Sequence, residues 1–370
     1  MWFFVCYSFF RIHTAMYLCG MLDYIVVGLG LAGVSFCETL RKNNKTFVVF
    51  NDGSQTSSRV AGGLYNPVIL KRFTLSWKAT EQLEIANKFY PKLENRLGVN
   101  FNFELPVLRR FTSIEEQNLW FEASDKPNLS SYLSTELVPN KNKAINASLG
   151  YGEVLLTGRL DTQLLMDAYQ DWLMEQQVFR NSSFQYDTLE IFKDYVIYDG
   201  LKAKHIVFAE GFGLKQNPYF NYLPMQGSKG EYVIVKSKEL QESKAVKSAI
   251  FLIPLGDDLY KAGANYNRDD KTNTPTVAAR QQLVNQLEDL ITCDYEIISQ
   301  VAGVRPTVRD RRPLLGQHPK YANLWVLNGF GSHGIMIAPW ASGLLYDQIE
   351  NQISLNEEIN IDRFKKLYKG

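Results

Sequence analysis

Three glycines stand in the stretch Gly28-Leu29-Gly30-Leu31-Ala32-Gly33, between an apolar run from Tyr24 to Val27 and a helix-forming one from Val34 to Lys42. Each has a physical use. Gly28 allows a tight turn from strand to helix, Gly30 lets backbone approach a pyrophosphate, and Gly33 lets the helix pack closely on the strand. The start of such a helix presents free N–H groups and the positive end of its dipole to phosphate. A second apolar strand, Phe47 to Phe50, follows at the distance a βαβ unit requires. In that setting the glycines read as a dinucleotide cradle. An acidic residue ending the second strand should hold the ribose hydroxyls. Asn51 has the usual register and Asp52 comes one residue later. Asp52 is assigned the ribose contact, the alternative being that residues 51–53 form only a turn. No arginine follows to accept a 2′-phosphate, which argues against NADP.

The remainder does not continue with the further βαβ units of an NAD enzyme. Ser57, Ser58, Ala61, Gly62 and Gly63 form a stretch of small residues that lets backbone pass close to a flat ring or a phosphate, with Tyr65 just after it. A buried strand, Lys204 to Phe208, ends in Ala209-Glu210-Gly211. Another, Leu324 to Asn328, runs into Gly329-Phe330-Gly331-Ser332-His333-Gly334-Ile335-Met336 and a helix. Between them lies the segment Ala302 to Gly316, with Arg305-Pro306, Asp310, Pro313 and Gly316.

These blocks, in this order, resemble the D-amino-acid-oxidase superfamily of FAD-dependent oxidoreductases. The branches they are most similar to are glycine oxidase and the oxidase domain of the bifunctional tRNA wobble-uridine modification enzyme. The resemblance runs from about Asp23 to about Ile349. It implies an α/β fold with a Rossmann-type FAD-binding domain and a second, mostly antiparallel β substrate domain. It implies FAD as cofactor, with Ser57 and Ser58 among the residues that bind it, Ala61, Gly62 and Gly63 along the isoalloxazine, Leu189 at the adenine and Gly211 closing the dinucleotide site. Gly329 to Met336 would line the flavin's pyrimidine edge, where helix N–H groups favour the negative charge that reduction places there. The implied reaction oxidises the C–N bond of a small amino acid or secondary amine by hydride transfer to flavin.

Since flavin carries the redox chemistry, the protein has to supply positioning and electrostatics. In amino-acid-oxidising members the arginine at the Arg305 position binds the substrate carboxylate through two parallel charge-assisted bonds. The other reading ties Arg305 structurally to Asp310. His333 titrates near neutral pH and could donate to flavin or substrate, or else point at solvent. Tyr266 and Tyr65 are candidate pocket residues, with core packing as the alternative for each. Phe251 stands where the glycine oxidase branch has a carboxylate-binding tyrosine, which puts glycine itself in doubt as the substrate. The arginines at 305, 309, 311 and 312 read as a solvated loop with Asp310 as partner.

These segments need a frame. A chain of 370 residues suits two interleaved domains. FAD-binding blocks are expected at 21–90, 145–215 and 300–370, and substrate-domain blocks at 91–144 and 216–299. Residues 1–20 read as an upstream start or loose extension, and 354–369 as a terminal helix. A net charge of +1 gives no global field to gather nucleic acid or anionic lipid, and no basic-aromatic stripe points to RNA. The expected partners are a small amine or amino acid, and oxygen or an electron carrier. DNA, RNA, membrane and metal are not expected. Four cysteines without CxxC or framework spacing fit a reducing cytoplasm. Three functional alternatives stay open: a dehydrogenase of the same fold using a carrier, a tRNA-modification-type amine oxidase, and a catalytically silent FAD-binding module.

Overall fold

The computed structural model describes residues 20–370, so the expectation for 1–20 lies, Gly20 apart, outside the described residues. The chain divides into two compact units. One gathers the described residues up to Gln55, Met166–Gly227 and Arg305–Gly370, and the other Thr56–Leu165 and Ser228–Val304. These boundaries differ from those drawn on sequence. Residues 56–90 and 145–165 group with the second unit because their backbones pair there: Leu64–Tyr65 bonds to Gly158–Leu160, and Tyr151–Val154 to Val107–Arg110.

The first unit is built on strand β1 (Leu22–Val27), helix α1 (Leu31–Lys42) and strand β2 (Phe47–Phe50). Tyr24, Ile25 and Val26 are fully buried, as a strand covered on both faces requires. Ile25 stands opposite Val48 of β2 on one side and Ile206 on the other, both in parallel register. The strand Leu201–Phe208 is shared along its length. Its start pairs antiparallel with Val196–Tyr198, and its end pairs parallel with Leu324–Asn328. Three strands therefore end side by side, at Val27, Phe208 and Asn328, each followed by a glycine-bearing turn. The expected helix over 354–369 is replaced by a short 3-10 segment, Ile361–Leu367, opened by the Asn360 side chain accepting from Asp362 N at 3.0 Å. Burial of Ile361 against Gly316 holds the chain in that irregular course.

The second unit carries an eight-stranded sheet in the order Glu296–Arg305, Ser228–Lys236, Leu259–Gly263, Phe251–Gly256, Ala245–Lys247, Val107–Arg110, Tyr151–Val154, Leu133–Val138. It is mostly antiparallel, with one parallel pair where Ala245–Lys247 meets Val107–Arg110. Strand alternation sorts its two faces. Leu108, Val233, Val235, Val246, Leu252 and Ala262 point into a core shared with Leu283 and Leu287 of the helix Val277–Glu288. The alternate positions, among them Lys247, Phe251, Ile253, Lys261 and Tyr232, belong to the opposite face.

At the head of the first unit the approach between α1 and β1 leaves no room for a side chain. A Cβ on Gly33 would lie 2.1 Å from Gly28 O. Gly33→Ala must push the helix off the turn, at a cost of roughly 1–3 kcal/mol. The expected outcome is a lowered thermal midpoint and a reduced flavin content in the purified protein. A variant with unchanged melting and full flavin would show that this contact yields without consequence.

Candidate active site

The first unit forms the cradle. Gly28 has φ of +98°, and a Cβ there would meet Ala209 O at 2.5 Å. Gly30 opens α1 with no side-chain cap and no acidic residue in the first turn, which leaves the positive end of the helix to an external anion. Leu31 and Gly33 are buried, with Ala32 partly so. The last helix, Gly334–Asn351, begins beside the first: a Cβ on Gly334 would touch Leu31 Cδ1 at 3.1 Å. Two helix N-termini thus converge at the carboxyl ends of the central strands, where ligands of open α/β sheets bind. Gly329 and Gly331 both take positive φ, so the turn through Phe330 and Ser332 can double back before Ile335 and Met336 enter the helix.

Asn51 and Asp52 divide the ribose corner. The Asn51 Oδ1 accepts from Leu29 N at 3.1 Å and so shapes the cradle itself. Asp52 accepts from Ser54 N at 2.9 Å and Ser183 Oγ at 2.7 Å, and these bonds lower its pKa against the effect of burial. Leu189 is buried directly after the turn Tyr186–Thr188, and Gly211 follows Glu210 with φ of +56°. Arg305 is brought to the glycine turn: the carbonyl of the next residue, Pro306, accepts from Gly331 N at 3.1 Å. Asp310 is engaged by Arg363 Nε at 2.9 Å. Arg312 reaches Glu358, while Arg309 and Arg311 are exposed. His333 caps the last helix through its carbonyl, which accepts from Met336 N and Ile337 N. Its ring is exposed in surroundings that still desolvate it, and its pKa is lowered.

In the second unit Ser57 to Gly63 lies against the sheet. Thr56 Oγ1 donates to Ala302 O at 3.2 Å, and a Cβ on Gly303 would meet Ser57 Cα at 3.0 Å. At Gly62 a Cβ would meet Ile253 Cδ1 at 2.8 Å and Tyr232 Oη at 3.0 Å. Gly63, with φ of +75°, packs on Leu160 O. Ser58 and Ala61 are partly exposed. Tyr65 is half-buried with its hydroxyl directed to Asn102 Oδ1 at 3.3 Å, and burial raises its pKa. Tyr266 is 70% exposed on the loop after Leu259–Gly263.

Three residues that sequence reading passed over also belong to this geometry. Asn328 ties two turns together, donating to Gly211 O at 3.0 Å and accepting from Gly329 N at 2.8 Å. Lys261 donates to Ala61 O at 3.0 Å, so a half-buried ammonium pins the small-residue stretch. Desolvation, then the nearby Arg159, pushes its pKa down to about 8. Glu210 is buried at the end of its strand, accepting from Tyr186 Oη and from Asn217 Nδ2 at 2.8 Å. Through Tyr186 it fastens the Leu189 turn to the cradle. Its sequence signal was an acidic residue between Ala209 and Gly211, a spacing that looked like part of the glycine turn alone.

Fold and cradle together define a dinucleotide-dependent oxidoreductase of mixed α/β architecture. Residues 23–348 match the family DAO, described as FAD dependent oxidoreductase. The chain belongs to that family, and FAD is its cofactor. Glycine oxidase of Bacillus subtilis (strain 168) is 21% identical over 357 residues, 92% of this chain and 95% of that one. The tRNA 5-methylaminomethyl-2-thiouridine biosynthesis bifunctional protein MnmC of Legionella pneumophila subsp. pneumophila is 26% identical over 222 residues, 48% of this chain and 32% of that one. Among solved structures, glycine oxidase from Geobacillus kaustophilus superimposes with a TM-score of 0.75 at 18% identity, covering 93% of this chain and 98% of its own. Iminodiacetate oxidase from Chelativorans sp. BNC1 gives 0.75 at 16% identity, covering 92% and 98%. At such identities the structures establish the fold.

Burial pushes the Glu210 carboxyl up to about 7, the bonds from Asn217 and Tyr186 opposing it. The folded state therefore keeps a proton that the unfolded chain releases near pH 4.5. This stabilisation is complete below pH 4.5 and is lost as pH rises to about 7. The wild type should lose about 3 kcal/mol of unfolding free energy from this group over that window, and Glu210→Gln should not. Denaturant unfolding at pH 5 and pH 8 checks it, and equal pH slopes for the two proteins would refute the assignment.

Proposed function

We propose that this enzyme oxidises the C–N bond of a small amino acid or secondary amine, in the manner of glycine oxidase. The observation that carries the reading is the bond from Gly331 N to Pro306 O, which seats the Arg305 backbone against the glycine turn opening the last helix. A guanidinium at that place suits a substrate carboxylate, for it offers two parallel donors in the geometry of the two oxygens. Bound FAD supplies the acceptor for the hydride that leaves the carbon next to nitrogen. Ala61 to Gly63 are the proposed ring-side contacts, with Ser57 and Ser58 as further FAD contacts and Lys261 bonding the Ala61 carbonyl. Leu189 and Gly211 are assigned to the adenine end, Asp52 to the ribose, and Gly329 to Met336 to the pyrimidine edge. His333, on the turn that opens the last helix, is assigned to donate one hydrogen bond to substrate or flavin. Tyr266 is proposed as a substrate-pocket residue, and Tyr65 is assigned to packing rather than to chemistry.

Cytoplasmic action on a soluble amine is part of the same proposal. Cys37 and Cys293 are free thiols. Among the described residues no helix is long and apolar enough to cross a membrane. Oxygen is the proposed electron acceptor, and reoxidation in air against reoxidation by a carrier dye separates an oxidase from a dehydrogenase.

The test is anaerobic bleaching of the flavin by a panel of amines and amino acids, with Arg305→Lys beside the wild type. A lysine is a point charge on a flexible stem and cannot reproduce the paired donors. For amines with a carboxylate the change should cost on the order of 2–4 kcal/mol, roughly 30- to 1000-fold in kcat/KM and mostly in KM. Flavin content should not change. Equally tight and fast reduction in Arg305→Lys would remove the anchor role, and no bleaching by any amine would leave a silent module.

A further inference from the structure

Glu210 is a buried acid that no cation balances. Its strand ends beside β1: Ala209 N donates to Val27 O at 2.7 Å, and a Cβ on Gly28 would meet Glu210 Cα at 3.1 Å. Glu210 thus packs on the very turn that opens α1. Its carboxyl accepts from Tyr186 Oη, and from the fully buried Asn217 Nδ2 at 2.8 Å. The titratable groups around it come from three elements. Tyr186 lies on the turn Tyr186–Thr188, and Asp52, past the end of β2, adds a repelling charge. Lys215, on the short segment Gly211–Gln216, donates instead to the carbonyl of Asn221 at 3.0 Å. Among the described residues no lysine, arginine or histidine pairs with the carboxyl.

Two physical demands meet at this residue. Its hydrogen bonds fasten the Tyr186 turn, and Leu189 after it, to the strand end, and a neutral amide would serve that purpose as well. The ionisable group brings something further. Burial pushes the carboxyl up to about 7 against the bonds from Asn217 and Tyr186, and Asp52 adds to the rise. A diphosphate binds where helix N–H groups open on a glycine turn, and that is the turn on which Glu210 packs. Two more negative charges so near disfavour the carboxylate and favour the acid. Proton and diphosphate then support one another, and such coupling is reciprocal.

We propose that Glu210 is a positioning residue for the ADP half of FAD that has to carry a proton when the diphosphate is seated, so that FAD binding takes up a proton and weakens as the medium turns alkaline. Every group involved belongs to the first unit, and the coupling holds whichever substrate is oxidised. Its sign follows from linkage. Affinity is full while the carboxyl of the flavin-free protein is protonated, and it falls as pH rises through about 7. A single proton gives about a tenfold loss per pH unit, until the loaded protein itself releases it.

The test dilutes the holoenzyme at a series of pH values and reads released FAD by its fluorescence. The wild-type dissociation constant should rise roughly 10- to 30-fold between pH 6.5 and pH 8.5. Glu210→Gln keeps a neutral hydrogen-bonding group at every pH, so its profile should be flat and its FAD tighter than wild type at pH 8.5. ADP-ribose, which has the diphosphate but no flavin, should displace FAD from the wild type with the same efficiency at every pH. A displacement ratio that moves with pH would put the linkage at the flavin ring and overturn the assignment. A wild-type slope retained in Glu210→Gln overturns it too, and so does a flat wild-type profile. Uniform weakening of the variant at every pH would leave Glu210 a brace alone. Should Glu210→Gln not load with FAD, Tyr186→Phe carries the test. Loss of a hydroxyl that favours the carboxylate should move the onset of weakening to higher pH, and an unmoved onset refutes the coupling.

Discussion

The contact between Gly33 and the carbonyl of Gly28, and that between Gly28 and Ala209, set the position of nearly everything in the first unit. With no Cβ at either glycine, helix, turn and neighbouring strand close to backbone distance. The close approach aims the start of α1 along the carboxyl ends of β1 and Leu201–Phe208. A side chain at either place would lift the helix, and its N–H groups would no longer converge with those of the last helix beside Leu31 and Gly334. The electrostatic character of the cradle is thus a consequence of steric absence. The positive end of a helix dipole is useful to a phosphate only within about a turn of it.

Around that constraint the protein arranges polar groups that connect turns rather than decorate them. Asn51 braces Leu29 in the glycine loop, Asn328 joins Gly211 to Gly329, and Glu210 joins the Tyr186 turn to the strand end by accepting from the Tyr186 hydroxyl. None of the three lies on a long element. Each links two segments: the asparagines bond backbone groups, and Glu210 bonds the Tyr186 and Asn217 side chains. Buried polar groups that bridge loops in this way rigidify a site only while every member is satisfied, which is why a carboxyl with a raised pKa is tolerated there.

The second unit solves another problem. Its sheet must fill a core with one face and keep charges on the other, and strand alternation separates Val246 and Leu252 from Lys247 and Phe251. Two half-buried lysines, at 247 and 261, sit on that second face with pKa values depressed chiefly by desolvation. Lys261 uses its charge internally, on the carbonyl of Ala61. Lys247 donates to the carbonyl of Ala249 and lies over the Phe251 ring.

Much of the cradle was legible in the amino-acid order, because a glycine at a fixed offset from a buried strand reports a local steric demand. Gly28, Gly30 and Gly33 needed only the runs on either side of them, and the FAD family followed from four such blocks in sequence. The unit boundaries were not legible in that way. Residues 56–90 follow directly from the first βαβ unit, yet Leu64–Tyr65 bonds to the strand Gly158–Leu160, which in turn pairs with Asn102–Glu104, and no local pattern reports a pairing across that separation. The expected terminal helix failed for a related reason, since burial of Ile361 against Gly316 outweighs helix propensity in a short segment. Which charged side chains face an apolar ring, a carbonyl or water was decided only by tertiary structure. Sequence names the lysines at 247 and 261, but their desolvation depends on strands brought together from four distant parts of the chain.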